Sequence, residues 1–220
     1  VAMYSSILAV NSPVEFDDTI AKYQHHIVLP QTGTDYGKNR DISLDIADLD
    51  VFTLPSKSYL YIEGKFLNDA NVLPARSVID NNGFAFLFEE IRYEINSIEI
   101  DRCRNVGIST TMKNFMCISK ADGEEWSSAG WDPLNVHGSL TSNDGFFGVC
   151  LPLRMLLGFA EDYEKVIVHA RQKLVLRRSA EDENCFVTTG QAENCTITIS
   201  HISWRLSLIH ISEPTRRTPI

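Results

Sequence analysis

Along much of this chain the apolar residues recur at every second position, and that spacing restricts the fold to sheets. Ile42, Leu44 and Ile46 alternate with polar neighbours between Asp41 and Asp48, as in a strand with one buried face. Leu54-Pro55-Ser56 predicts a break, after which Ser58 to Leu67 (SYLYIEGKFL) supplies aromatic and β-branched residues suited to a pleat. Asn68 to Arg76 reads as a loop, and the apolar run Phe84 to Phe88 predicts a strand buried on both faces. Ile91, Tyr93 and Ile95 alternate, Asn96-Ser97 turns, and Ile98 and Ile100 alternate again, which is a hairpin. Phe146 to Leu151 predicts another strand. Val166 to Arg178 alternates through Val166, Val168 and Ala170, then through Leu174 and Leu176. Cys195, Ile197 and Ile199 are followed by Ile202 and Trp204 in shifted phase, so one extra residue near Ser200 or His201 predicts a bulge.

Two segments depart from this rhythm. Ile108, Met112, Phe115, Met116 and Ile118 form a helical stripe between Val106 and Ser119, with Ser109 or Thr110 as the early cap. Leu153 to Phe159 predicts a short helix closed by Glu161-Asp162. Asp122 to Gly145 is rich in Gly, Ser, Asn and Asp and reads as a long surface loop held by Trp126 and Trp131. A loop of that length covers an edge or meets a partner. About eight strands, two short helical connections and no βαβ rhythm give an all-β, antiparallel β-sandwich. The pattern carries no strand order.

With 220 residues, a chain buries roughly 70% of its unfolded surface, enough for one core without staples. The net charge of -9 repels phosphate backbones and argues against direct nucleic-acid binding. Arg177-Arg178, the only dense basic pair before Leu206, lies among acids and reads as a solvated strand end. The five cysteines (Cys103, Cys117, Cys150, Cys185, Cys195) are odd in number and form no CxxC pair. That disfavours a disulfide framework and points to an intracellular compartment, cytoplasm or nucleus. The sequon Asn194-Cys195-Thr196 then reads as chance. Ile7 to Val10 is too short for a signal peptide, and no apolar run approaches a membrane span. Met3 is a candidate start.

The last fifteen residues read differently. LSLIHISEPTR (Leu206 to Arg216) is what a widely used transposase-tagmentation adapter encodes in one frame, and Arg217 to Ile220 fit its continuation. Residues 206–220 are therefore expected to be an adapter-derived artefact, with the natural chain continuing past Arg205.

A search for chemistry yields no catalytic, cofactor-binding or metal-ligating residues. His25-His26 lacks a third ligand, and neighbours on a strand face opposite sides. Asp41, Asp45, Asp48 and Asp50 lack the spacing, central glycine and closing glutamate of a calcium loop. Tyr36-Gly37-Lys38 lacks the rest of a phosphate loop. Cys150 and His169 have no context marking a dyad, and Cys150 reads as an inert core thiol. Glu89-Glu90 and Glu161-Asp162 read as charge at element ends.

Two segments carry a family resemblance. FAFLFEEIRYEINSIEIDRCRNVGISTTMKN (Phe84 to Asn114) is followed by AGW (Ala129 to Trp131) and FFGVCLPLRMLLGFAEDYEKVIVHARQKLVLRRS (Phe146 to Ser179). These resemble the double jelly-roll-like domain proteins of invertebrate genomes, a family similar to the major capsid proteins of adintoviruses and Polinton-type elements. DVFTLPSKSYLYIEGKFLN (Asp50 to Asn68) and TITISHISWRL (Thr196 to Leu206) extend the resemblance over most of Asp41 to Arg205.

The resemblance implies the first half of a double jelly roll: an amino-terminal arm over 1–40, a jelly-roll domain over 41–205, and a second jelly roll beyond. It implies a structural, non-enzymatic role with no cofactor. The partners would be copies of itself, as pseudo-hexameric trimers, and other capsid subunits, and the location a virion where the element is active. The arm and the Asp122 to Gly145 loop are the expected contact segments. A host protein that kept the fold as a protein- or carbohydrate-binding module is the alternative. A cupin-type enzyme is disfavoured because no clustered His/His/Glu set is present.

Overall fold

The computed structural model describes residues 20–31, 33, 35–46, 52–119, 126–132, 140–191 and 193–211. Eleven strands appear among them: β1 (Ile20–Val28), β2 (Asp41–Ile46), β3 (Phe52–Asn68), β4 (Ser77–Ile79), β5 (Phe88–Ile95), β6 (Ile98–Arg104), β7 (Phe146–Pro152), β8 (Ile167–Val168), β9 (Gln172–Arg178), β10 (Phe186–Thr188) and β11 (Cys195–Ile211). Three α-helices interrupt them: α1 (Val106–Cys117), α2 (Leu153–Leu156) and α3 (Gly158–Asp162). One sheet runs β1-β11-β3-β7, with β8 also on β3; the other runs β2-β9-β5-β6; β4 and β10 form a small ribbon. Every pairing is antiparallel.

The two large sheets close over one core. Leu60, Ile62, Val149, Leu151, Ile202, Trp204 and Leu206 come from the first sheet, and Ile42, Leu44, Leu174, Leu176, Ile91 and Tyr93 from the second. Each strand contributes alternate residues, so period two in sequence becomes one buried face. Gly64 falls on that face with no side chain because the Phe147 ring fills its place; a Cβ there would lie 2.6 Å from Phe147 Cζ. A buried polar chain links the sheets. Tyr93 donates its hydroxyl to Gln172 Oε1 (2.7 Å), Gln172 Nε2 donates to Thr53 Oγ1 (2.6 Å), and Thr53 donates to the Ile167 carbonyl (3.2 Å).

Several local expectations hold. Asn96 and Ser97 both have positive φ, the backbone that lets a two-residue turn follow the strand twist of the β5–β6 hairpin. The β11 register shifts between Ile199 and His201, leaving Ser200 as the extra residue, and its hydroxyl donates to the Glu63 carbonyl (3.1 Å).

Others are corrected. Pro55 does not break the chain: β3 runs through it, and residues 55–58 lie as a bulge opposite Leu206 alone. The bulge needs no ladder donor at Pro55, whose carbonyl is taken by the Ser58 hydroxyl (2.6 Å). Phe84, Ala85, Leu87 and Phe88 are buried as expected and Phe86 is partly buried, but Gly83–Leu87 is a 3-10 turn and only Phe88 enters β5. Ile167 rather than Val168 points inward, because His169, at positive φ, separates β8 from β9 and resets the phase.

A strand, β1, precedes Asp41, and β11 continues to Ile211 between β1 and β3 with Leu206 and Ile209 buried. Leu206-Ser207-Leu208 has the alternation a strand needs whatever its origin. No described helix is long and apolar enough to cross a membrane.

Candidate functional site

The sequence candidates do not converge. His25 and His26 are both exposed on β1, and the His25 ring lies 5.4 Å from Tyr59. Asp41 and Asp45 lie on the outer face of β2, while Asp48 and Asp50 fall outside the described residues. Among the described residues no cluster of three His, Cys, Asp or Glu could hold a metal. Lys38 is engaged with Asp182 Oδ2 (3.4 Å) rather than poised for a phosphate. Cys150 sits opposite Tyr61 on β3, while β8, just before His169, pairs at Phe52. Allowing for the bulge, that separates them by on the order of 20 Å of strand. Cys150 is also half-buried on the outer face of β7, not in the core. Glu89 meets Arg177 (3.5 Å), Glu90 meets Arg104 (3.2 Å) and Glu161 meets Lys113 (2.6 Å), all as surface pairs.

Arg178 is the larger correction. It is not a solvated strand end but 1% exposed, paired with the equally buried Asp182 and donating to the Leu87 carbonyl (2.9 Å). Gln172, Leu174, Leu176 and Arg178 share one parity on β9, so the alternation itself carries Arg178 inward.

The feature that stands out is a surface. The helix expected from the apolar stripe forms as α1, and the structure turns most of that stripe to solvent. Ile108, Met112, Phe115 and Met116 are 57, 62, 60 and 79% exposed. The helix packs instead through its small side. Gly107 lies against the Phe86 ring, where a Cβ would meet Phe86 Cγ at 2.2 Å. Thr110 Oγ1 accepts from Asn82 Nδ2 (2.8 Å) and donates to the Val106 carbonyl (2.7 Å). The expected cap is replaced too: Asn105, at positive φ, starts the helix, and the Ser109 hydroxyl turns back to the Arg104 carbonyl (3.0 Å). Residues at i, i+4, i+7 and i+8 share a helical face, so the four form one continuous apolar strip of the kind that marks a contact surface.

Trp126 and Trp131 are buried beneath this region and hold the described parts of the 122–145 loop, as expected. Phe115 packs edge-on against Trp131 at 4.9 Å, and the Arg154 guanidinium lies 4.2 Å above the Trp126 ring.

The cysteines are free thiols, and burial pushes the Cys185 thiol up to about 12. Its folded pKa is raised, so this contribution to stability is complete below the usual thiol pKa of about 8.5 and is lost as pH rises through about 12. At pH 8, iodoacetamide followed by mass spectrometry is expected to label exposed Cys117 and to leave Cys185 unmodified until the chain unfolds. Early labelling of Cys185 would contradict its burial.

Comparison with known proteins agrees with the architecture. Residues 77–218 match the family described as a double jelly roll-like domain. No curated protein matches the chain. Among solved structures, the Faustovirus major capsid protein is similar over 96% of this chain and 57% of its own, with a TM-score of 0.55 at 10% identity. The mavirus major capsid protein is similar over 97% and 51%, with a TM-score of 0.54 at 11% identity. PBCV-1 VP54, fitted into a reconstruction of the virophage Sputnik, is similar over 92% and 45%, with a TM-score of 0.51 at 15% identity. At these identities the likeness concerns the fold, and the chain spans about half the length of each of these proteins. An antiparallel two-sheet sandwich, matched in sequence over more than half its length, places the chain in the double jelly roll-like domain family.

Proposed function

We propose that this chain is the amino-terminal jelly roll of a structural shell protein, virus-derived and of the adintovirus or Polinton kind. In the full-length product two jelly rolls in tandem let three chains form a pseudo-hexagonal tile, and tiles cover a virion. The observation that carries this reading is the sandwich itself, similar to one half of each of three viral major capsid proteins. The α1 strip supports it, because a shell subunit works through broad complementary surfaces rather than a cleft. The arm before Asp41, which includes β1, and the 122–145 loop are further contact segments. No catalytic step belongs to this role.

The test uses a product that carries two jelly rolls in tandem. The product is expected to sediment as a trimer. Met112→Asp with Met116→Asp should leave the fold intact, since exposed substitutions cost about 0.5 kcal/mol or less, and should weaken association at least about tenfold. A full-length product that stays monomeric at tens of micromolar would overturn the assignment. Trimers indifferent to the double substitution would remove α1 from the contact.

A further inference from the structure

Three of the chain's four methionines lie among the described residues, and the fold divides them sharply. Met155 of α2 is 2% exposed and belongs to the core, whereas Met112 and Met116 of α1 are 62 and 79% exposed. Met116 is the most exposed large apolar side chain among the described residues. Four residues apart, the two lie one above the other on the helix, with Ile108 and Phe115 completing the apolar strip. Thioether sulfur is soft and readily oxidised, and exposure decides which sulfurs an oxidant reaches.

The polar groups of α1 nearest both sulfurs are already committed elsewhere. Ser109 lies three residues before Met112, and its hydroxyl donates to the Arg104 carbonyl (3.0 Å). Lys113, the only charged residue of the helix, lies three before Met116 and donates to the Arg154 carbonyl (2.6 Å) and to Glu161 (2.6 Å). An oxygen added to either sulfur would find these donors engaged, so water would be its partner while the helix face stays open. Covering that face would remove the water, and a buried acceptor left unpaired is costly.

We propose that Met112 and Met116 form a reversible oxidation site, at which peroxide switches off association of the chain through α1. The sulfur lone pair attacks one peroxide oxygen, the O–O bond breaks and an S–O bond forms. Sulfur loses two electrons to the peroxide, and the displaced hydroxide takes the proton of the transferred oxygen and leaves as water. Two flexible apolar side chains become polar sulfoxides at neighbouring points of one contact. The step is open to the unassembled chain, since a closed contact would bury both sulfurs. Thiol-dependent sulfoxide reductases, one for each epimer, would restore the thioethers: two thiols become a disulfide and the oxygen departs as water. The inference rests on the assembly proposed above, and its test separates the two.

The product with two jelly rolls is treated with hydrogen peroxide at a dilution where its chains are apart. Catalase removes the excess, and dithiothreitol then resets reversible thiol oxidation at exposed Cys117 while leaving sulfoxides in place. Peptide mass spectrometry is expected to find one added oxygen at Met112 and at Met116 before Met155 is touched. Thermal unfolding should be unchanged, because both altered side chains are exposed. Association, read by sedimentation after concentrating, should weaken at least about tenfold and return after treatment with reductases for both epimers. Met112→Leu with Met116→Leu, compared with its own untreated sample, controls for sulfurs elsewhere in the product and should associate equally before and after peroxide. Association that survives full oxidation of both sulfurs would overturn the inference and leave the assembly in place. So would oxidation of Met155 at the same rate, or an equal loss in the leucine variant. Untreated product that stays monomeric would instead remove the assembly, and this inference with it.

Discussion

Replacing Asp182 with alanine is expected to destabilise the fold by about 3–5 kcal/mol, more than any surface substitution. The residue is 2% exposed and sits where four segments meet. It pairs with Arg178 at the end of β9, accepts from the Ile197 amide of β11 (3.4 Å), meets Lys38 (3.4 Å), and its carbonyl accepts from the Cys185 amide (2.9 Å). Removing it strands the guanidinium of a fully buried arginine, whose other contacts are the carbonyls of Leu87 (2.9 Å) and Ile197 (3.5 Å). The penalty is mainly that of an unpaired buried charge, so Arg178→Met combined with Asp182→Ala should recover much of the loss. Chemical denaturation of the two singles and the double tests this through their coupling. Additive losses would show that the pair contributes only packing. Lys38→Ala, which removes a half-exposed partner, should cost about 1 kcal/mol or less.

Trp204→Ala is expected to cost a similar 3–5 kcal/mol, by a different route. Trp204 is fully buried in the middle of β11, flanked by Val28 of β1 and Leu60 of β3, and it meets the ring of Tyr93 from the opposite sheet edge-on at 6.2 Å. Alanine would open a cavity at the junction of both sheets that neighbouring backbones, fixed by two ladders, cannot close. Trp204→Phe should cost only about 1–2 kcal/mol, because most of the volume stays and the indole Nε1 has no partner to lose among the described residues. A loss under about 1 kcal/mol for the alanine variant would contradict a core centred on this residue.

Both sites show how far the sequence could be read. Trp204 is legible because it sits in phase with Ile202 in a strong alternation, and the phase shift before it locates the Ser200 bulge. Arg178 is not, because its charge argues for solvent while its parity with Leu174 and Leu176 argues for the core. Parity wins once Asp182 supplies the compensating charge. The α1 stripe was legible as a helix but carried no direction. A helical apolar face normally points to a core, but here Gly107 and Thr110 allow close approach on the other side, and the stripe is left outside. Pattern alone does not distinguish a face turned toward the chain's own core from one turned to solvent.

In the proposed role this sandwich is one of the six lobes of a three-chain tile joined through exposed surfaces. Single-particle electron microscopy of the full-length product addresses that most directly. Three-fold particles with six sandwich-sized lobes are predicted. Isolated particles holding one or two lobes, at concentrations where shell proteins associate, would contradict it.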